Sequence, residues 1–227
     1  MPRRPLIRSV EFPYHVTNQV NNREAYPLEL TRVWKLFVQV LFESCLLHGA
    51  RTHALVLMPN HFHLLVSCPE SDLGTLMGDF GTQFTKRHNR VADRVGHLFR
   101  GRYHWSLIDS SLYAAHAVRY VYRNPVRAGL VEAEQILNYP FSTLPMKLGL
   151  QSMELTLHPM DSDWVPTDSV DLLEWVARHT PREEEELIRR GLRRREFGLG
   201  MDRSTARRRT LSASSLAHPL QVRAVQG

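Results

Sequence analysis

Leu57-Met58-Pro59-Asn60-His61-Phe62-His63-Leu64-Leu65-Val66 sets two histidines one residue apart inside an apolar run, directly after a Pro-Asn turn. Side chains alternate faces along a β-strand, so His61 and His63 point the same way, roughly 7 Å apart. Phe62, Leu64 and Val66 point the other way, as a core face does. Two readings follow. The histidines are polar decoration on a solvent-facing strand, or they are two imidazoles able to hold one divalent metal. Ahead of the turn, Arg51 to Met58 reads as another strand, and so short a connection predicts an antiparallel hairpin.

On the N-terminal side, Glu11 to Val20 reads as a first strand, with Phe12, Tyr14, Val16 and Asn18 on one face and His15, Thr17 and Gln19 on the other. Asn21-Asn22 ends it as a turn. From Pro27 to His48 apolar residues recur at helical spacing, and Gly49 closes that helix. Beyond the hairpin, Asp72 is the N-cap of a second helix reaching about Asn89, followed by a loop, a fourth strand from Arg102 to Asp109, and a third helix from Ser110 or Ser111 to about Arg127. The order β-α-β-β-α-β-α predicts an α+β fold, a ferredoxin-like βαββαβ sandwich with one added helix.

This domain is expected to occupy residues 1–145. Residues 146–202 read as a helical, arginine-rich extension, with helices over Val170–His179 and Glu183–Phe197. The second of these is acidic at its start and basic later, which suits a solvated helix matched to its own dipole. Residues 203–227, with Arg207-Arg208-Arg209 and little apolar period, are predicted to be a disordered basic tail.

Composition narrows the partners. A net charge of +6 and an isoelectric point near 9.7 favour a polyanion. Lys35, Lys86 and Lys147 are the only lysines, so nearly all the positive charge is arginine, which grips phosphate through a planar fork. A GC-rich genome would produce the same bias without any nucleic-acid partner. No apolar run approaches the roughly 20 residues of a membrane span. The opening Met1-Pro2-Arg3-Arg4-Pro5 lacks a signal peptide's apolar core, so a cytoplasmic, nucleoid-associated protein is expected. Cys45 and Cys68 form no CxxC pair and are expected to be reduced, buried thiols.

The third helix carries unusual polar groups. At 100° per residue Tyr113, His116, Tyr120, Asn124 and Arg127 share one face, opposite Ala115, Val118, Tyr122 and Val126. Pro125 cannot donate to Val121 and is expected to loosen or end the helix, freeing the Asn124 carboxamide to reach a metal. Two histidines and an amide oxygen would leave open coordination positions at which a phosphoryl group is polarised, and Tyr120, one turn from Asn124, would be within reach as a nucleophile. Tyr113 and Tyr122 compete for that role, His116 is expected at the rim or in solvent, and spacing alone stops at a candidate metal site. Arg100, Arg102, Tyr103, His104 and Trp105 set arginines beside aromatics, a combination that holds phosphates and stacks unpaired bases. Trp105 fits the core equally well. Lys86 and Arg87 make the far end of the second helix basic.

Four stretches occurring in order carry a resemblance: Tyr14-His15-Val16-Thr17-Asn18, the Leu57–Val66 run, Gly96-His97-Leu98-Phe99-Arg100-Gly101-Arg102-Tyr103, and Arg119-Tyr120-Val121-Tyr122-Arg123-Asn124-Pro125-Val126-Arg127-Ala128-Gly129. Over about residues 8 to 145 the chain resembles the REP-associated tyrosine transposases, a branch of the single-tyrosine HUH (His-hydrophobic-His) transposases. The resemblance implies His61 and His63 as metal ligands with Asn124 as the third, Tyr120 as nucleophile, and Mg²⁺ or Mn²⁺ as cofactor. It further implies cleavage and rejoining of single-stranded DNA at hairpin-forming palindromes through a 5′-phosphotyrosine, by a monomer or a homodimer. Arg100, Arg102, Tyr103, Lys86, Arg87 and Arg127 are the expected DNA contacts. Gln19 departs from the Arg common in relatives. Two other classes remain in play: a domesticated hairpin-binding protein with little catalysis, and a metal-dependent hydrolase that uses water.

Overall fold

In the computed structural model, residues 5–198 and Leu216 are described. Four strands form one antiparallel sheet: β1 (Tyr14–Gln19), β2 (Arg51–Leu57), β3 (His61–Ser67) and β4 (His104–Leu107), in the spatial order β2-β3-β1-β4. That order is the ferredoxin-like one, and the hairpin expected around Pro59-Asn60 joins β2 to β3. Among the described residues six α-helices accompany the sheet: α1 (Leu30–His48), α2 (Leu73–Val91), α3 (Ser111–Arg127), α4 (Leu144–Lys147), α5 (Ser169–Ala177) and α6 (Arg182–Gly191). Asp72 caps α2 by accepting from the Thr75 amide, and Gly49 ends α1 with φ +59°, where a side chain would also collide with Glu70.

The alternation of β3 decides what lies on each side of the sheet. Phe62, Leu64 and Val66 join α1 and α2 in one apolar cluster, where Phe37 meets Phe62, Phe80 and Phe84 at ring separations of 5.0, 4.8 and 5.1 Å. Leu65 belongs to a second cluster, built on α3. His61 and His63 therefore face the α3 side. Trp105 packs edge-on against Tyr14 in the first cluster, which is the core reading of that residue.

Both edges of the sheet are covered by later parts of the chain. Along β2, Leu57 donates to Phe141 O, Thr143 donates to Leu55 O, and the Thr143 hydroxyl accepts from Leu55 N. Along β4, Leu107 donates to Arg195 O and Phe197 donates back to Leu107 O. The fourth strand is shorter than expected because residues 98–103 turn across the end of β1. Arg100 N donates to Gln19 O, Asn21 N donates to Leu98 O, and Asn18 Nδ2 donates to Gly101 O.

Helices occupy the extension expected beyond residue 145, yet it is no appendage. Trp175, Val176, Ile188, Leu192 and Phe197 share one apolar cluster with Val118, Val121 and Tyr122 of α3. The disorder expected over 203–227 falls, Leu216 apart, outside the described residues. Cys45 and Cys68 are buried and free, as expected.

Trp175 is fully buried, and Trp175→Ala is expected to cost about 3–5 kcal/mol in urea unfolding. A loss below about 1 kcal/mol would mark the extension as detachable. A second expectation concerns pH. His53 sits at a bulge in β2, with Nδ1 donating to the His158 and Pro159 carbonyls and Nε2 accepting from Ser67, and burial lowers its pKa to about 4. Between pH 6.5 and about 4 the unfolded chain binds a proton here that the folded chain refuses, so stability falls with falling pH. The change is at most about 3 kcal/mol. Unfolding midpoints of wild type and His53→Gln should converge as pH falls through this window; parallel curves would contradict the assignment.

Candidate active site

A cavity of about 760 Å³ opens where β1, β3, the 98–103 turn, α3 and α6 meet. It brings together His61, His63, Tyr120, Asn124, Arg100, Arg102 and Arg127. Of the expected site residues, Lys86, Arg87 and Tyr103 lie elsewhere. Lys86 and Arg87 ride on α2, across the sheet, where Arg87 is bound to Glu43 of α1. Tyr103 packs in the α1–α2 cluster with its hydroxyl donating to Leu73 O, and Arg102 stacks over its ring at 5.3 Å.

The two histidines are held from behind. His61 Nδ1 donates to Asn60 Oδ1 at 2.7 Å, while Asn60 Nδ2 donates to Arg23 O. Asn60 in the Pro-Asn turn thus fixes the ring of His61 and leaves Nε2 as its basic nitrogen. His63 Nδ1 shares a 2.9 Å hydrogen bond with Nε2 of His15, whose ring stacks on it at 5.1 Å. With His63 as donor, its Nε2 carries the lone pair. Burial lowers the pKa of His61 to about 4 and that of His15 to about 3, and it holds His63 well below 6.5, helped by His15, His61 and Arg127. All three rings are therefore neutral at pH 7, the form that ligates metals.

Asn124 is better held than expected. Pro125 does not end α3, which continues to Arg127. Asn124 Nδ2 donates to Tyr120 O at 2.7 Å and reaches Val121 O, the carbonyl that Pro125 cannot serve, at 3.4 Å. The carboxamide thereby repairs the helix, and its Oδ1 is left to accept from Arg127 at 3.3 Å with a second lone pair to spare. Among the described residues no group of three or more His, Cys, Asp or Glu is arranged to hold a metal. The available donor set is two neutral imidazoles and an amide oxygen. That set fits a divalent cation of Mn²⁺ or Mg²⁺ type with positions left open, the oxygen suiting both and the imidazoles favouring Mn²⁺.

The three competing tyrosines separate cleanly. Tyr122 is buried on the far side of α3 beside Thr143, and Tyr113 packs on Phe197 with ring centroids 4.8 Å apart. Tyr120 faces the cavity, 5.5 Å from the ring of His63 and 6.0 Å from that of His15, with the Arg127 guanidinium 4.8 Å over its ring. His116, expected at the rim, is instead buried with its Nδ1 3.6 Å from Glu184, because α6 covers that part of the helix face.

Sequence reasoning missed His15, Arg189 and Arg193, which line the cavity, while His104, grouped in sequence with Arg100 and Arg102, lines it with them. His15 was legible in principle, since antiparallel pairing sets Thr17 opposite His63 and thus His15 diagonal to it. Nothing local in the sequence tells that α6 would fold back. Among the described residues that line it, the cavity counts five arginines and no carboxylate. Such a lining suits an anion.

No family model matches the chain. It is 29% identical over 112 residues to a Haemophilus influenzae protein named for the REP-associated tyrosine transposases, and 29% identical over 93 residues to the REP-associated tyrosine transposase of Escherichia coli K12. These matches cover 44% and 40% of the chain and 62% and 52% of the relatives, less than two thirds of either. The solved structure of a REP-associated tyrosine transposase bound to a REP hairpin superposes with a TM-score of 0.55 at 23% identity, covering 72% of this chain and 94% of that one. The chain is therefore similar in sequence to REP-associated tyrosine transposases and shares the fold of the solved one.

Proposed function

We propose that this protein cleaves and rejoins single-stranded DNA at hairpin-forming repeats through a covalent 5′-phosphotyrosine at Tyr120. The observation that carries this reading is the shared cavity, in which Tyr120, the neutral His61 and His63 and the Asn124 carboxamide stand among five arginines, with no carboxylate among the described lining residues. His61, His63 and Asn124 would hold Mg²⁺ or Mn²⁺, which when bound supplies Lewis-acid polarisation of the scissile phosphate. Neutral ligands leave that cation its full charge for the substrate. Hairpin DNA is the proposed partner because of the relatives' family name, the REP hairpin held by the solved relative, and the arginine lining.

Each residue has a distinct task. Arg127, stacked over the Tyr120 ring and bonded to Asn124, orients the nucleophile and the ligand together. The phenol oxygen attacks phosphorus, the bond from phosphorus to the 3′-oxygen breaks, and the proton lost by the phenol is balanced by one taken up at the 3′-hydroxyl. The tyrosyl phosphodiester keeps the energy of the original linkage, so attack by another 3′-hydroxyl rejoins a strand. Arg100 and Arg102, carried over the end of β1 by the 98–103 turn, hold flanking phosphates, and Gln19 stands beside His61 in strand register at the cavity wall.

Incubation of the full chain with Mn²⁺, labelled REP hairpin DNA and a library of hairpins with randomised single-stranded flanks tests this. Wild type is expected to yield a protein–DNA adduct resistant to denaturing electrophoresis, and Tyr120→Phe none, with hairpin affinity within about threefold. Cleavage without an adduct would identify a water-using hydrolase, and tight binding without cleavage a hairpin-binding protein; either contradicts the proposal. The support of His61 has its own readout. Asn60→Ala is expected to weaken Mn²⁺ binding about 10–100-fold in calorimetry without DNA. Unchanged affinity would remove Asn60 from the ligand shell or His61 from the ligands.

A further inference from the structure

The helix α6 reads in sequence as an ordinary solvated helix, yet two of the five arginines in the cavity, Arg189 and Arg193, come from this region. It is fixed from three sides. Ile188 and Leu192 are buried against α3. Arg123 and Arg127 each hold Glu185, at 3.4 and 3.5 Å. His104 Nε2 donates to Arg193 O at 2.9 Å, and the next residues bond to the edge of β4. A side chain pointing into the cavity from such a support keeps its position when substrate arrives.

Arg189 is the better aimed of the two. Its Nε and Nη2 each donate to Glu186 at 2.7 Å, a bidentate pair that fixes the plane of the guanidinium. Glu186 is also bound by Arg190, so the three side chains together carry a net positive charge. The remaining amino group, Nη1, lies outside the bidentate pair. Among the described residues Arg189 lines the cavity and Glu186 does not. The positive charge of Arg189 and the phenol of Tyr120 are close enough to interact electrostatically. Arg127, by contrast, is committed to Asn124, Glu185 and the Tyr120 ring.

Given the reaction proposed above, on which this inference rests, we propose that Arg189 is a catalytic residue. Its free edge binds a non-bridging oxygen of the phosphate attacked by Tyr120, and Arg193 grips a neighbouring phosphate. Charge gathers on the non-bridging oxygens as phosphorus becomes five-coordinate, and a preorganised guanidinium in contact with them lowers the barrier more than it tightens ground-state binding. The C-terminal extension thereby supplies part of the active site, and a chain ending near residue 145 would lack it.

The test is single-turnover adduct formation by the full chain with Mn²⁺ and REP hairpin DNA, beside hairpin affinity by fluorescence anisotropy without metal. Arg189→Ala is expected to slow adduct formation about 100-fold or more while affinity changes less than about threefold. Arg189→Lys should recover part of the rate, and Arg190→Ala, which removes the other partner of Glu186, should stay within about threefold of wild type. Thermal unfolding of each variant separates loss of fold from loss of function. Unchanged or faster adduct formation by Arg189→Ala, or an equal loss in Arg190→Ala, overturns the assignment of Arg189. Absence of an adduct from wild type instead overturns the underlying reaction, and the assignment with it.

Discussion

Two guanidinium groups lie buried between α3 and the C-terminal extension, and buried charges must find partners. Arg123 Nη1 donates to the Val176, Ala177 and Arg178 carbonyls, and Arg119 Nη2 to those of Arg178 and His179. These are the exposed carbonyls at the end of α5, the negative pole of that helix. Burial lowers the pKa of Arg119 to about 10, which still leaves it charged at neutral pH. The latch therefore works in both directions. The extension caps charges that α3 could not otherwise bury, and α3 gives the extension a fixed seat from which α6 reaches the cavity.

From that seat the site acquires its electrostatic character. Its candidate metal donors are neutral, the charged groups among its described lining residues are arginines, and Arg127 and Arg189 are paired with Glu185 and Glu186, which do not line it. A phosphodiester entering this space meets positive potential with no carboxylate to oppose it, while a bound cation would keep its whole charge for the same phosphate. Tyr120, the proposed nucleophile, stands beside the candidate metal donor His63 and under the Arg127 guanidinium.

Much of this was legible in the sequence because it depends on short periodicities. Alternation along His61-Phe62-His63 set the histidines on one face, and the βαββαβ order fixed the sheet. The i, i+4 step from Tyr120 to Asn124 put the proposed nucleophile and the amide together. What escaped depends on long-range packing. The helix, expected to loosen or end at Pro125, instead runs on to Arg127, and the neighbouring Asn124 side chain supplies the missing donor. His116 changes from rim to interior once α6 lies over it, and Arg119 and Arg123 become structural for the same reason. The dipole-matched charges of α6 told where the helix would form but not what it would face. Lys86 and Arg87 formed a basic helix end in sequence, yet they lie across the sheet from the cavity, where Arg87 answers Glu43.

Everything proposed for the chemistry turns on which atom becomes attached to DNA. Trypsin digestion of the covalent adduct should release the peptide Tyr120-Val121-Tyr122-Arg123, and fragmentation of that peptide resolves the two tyrosines. The expected result is a nucleotide mass carried on Tyr120. Attachment at Tyr122, at Tyr113 or at any other residue, or cleaved DNA with every tyrosine unmodified, would contradict it.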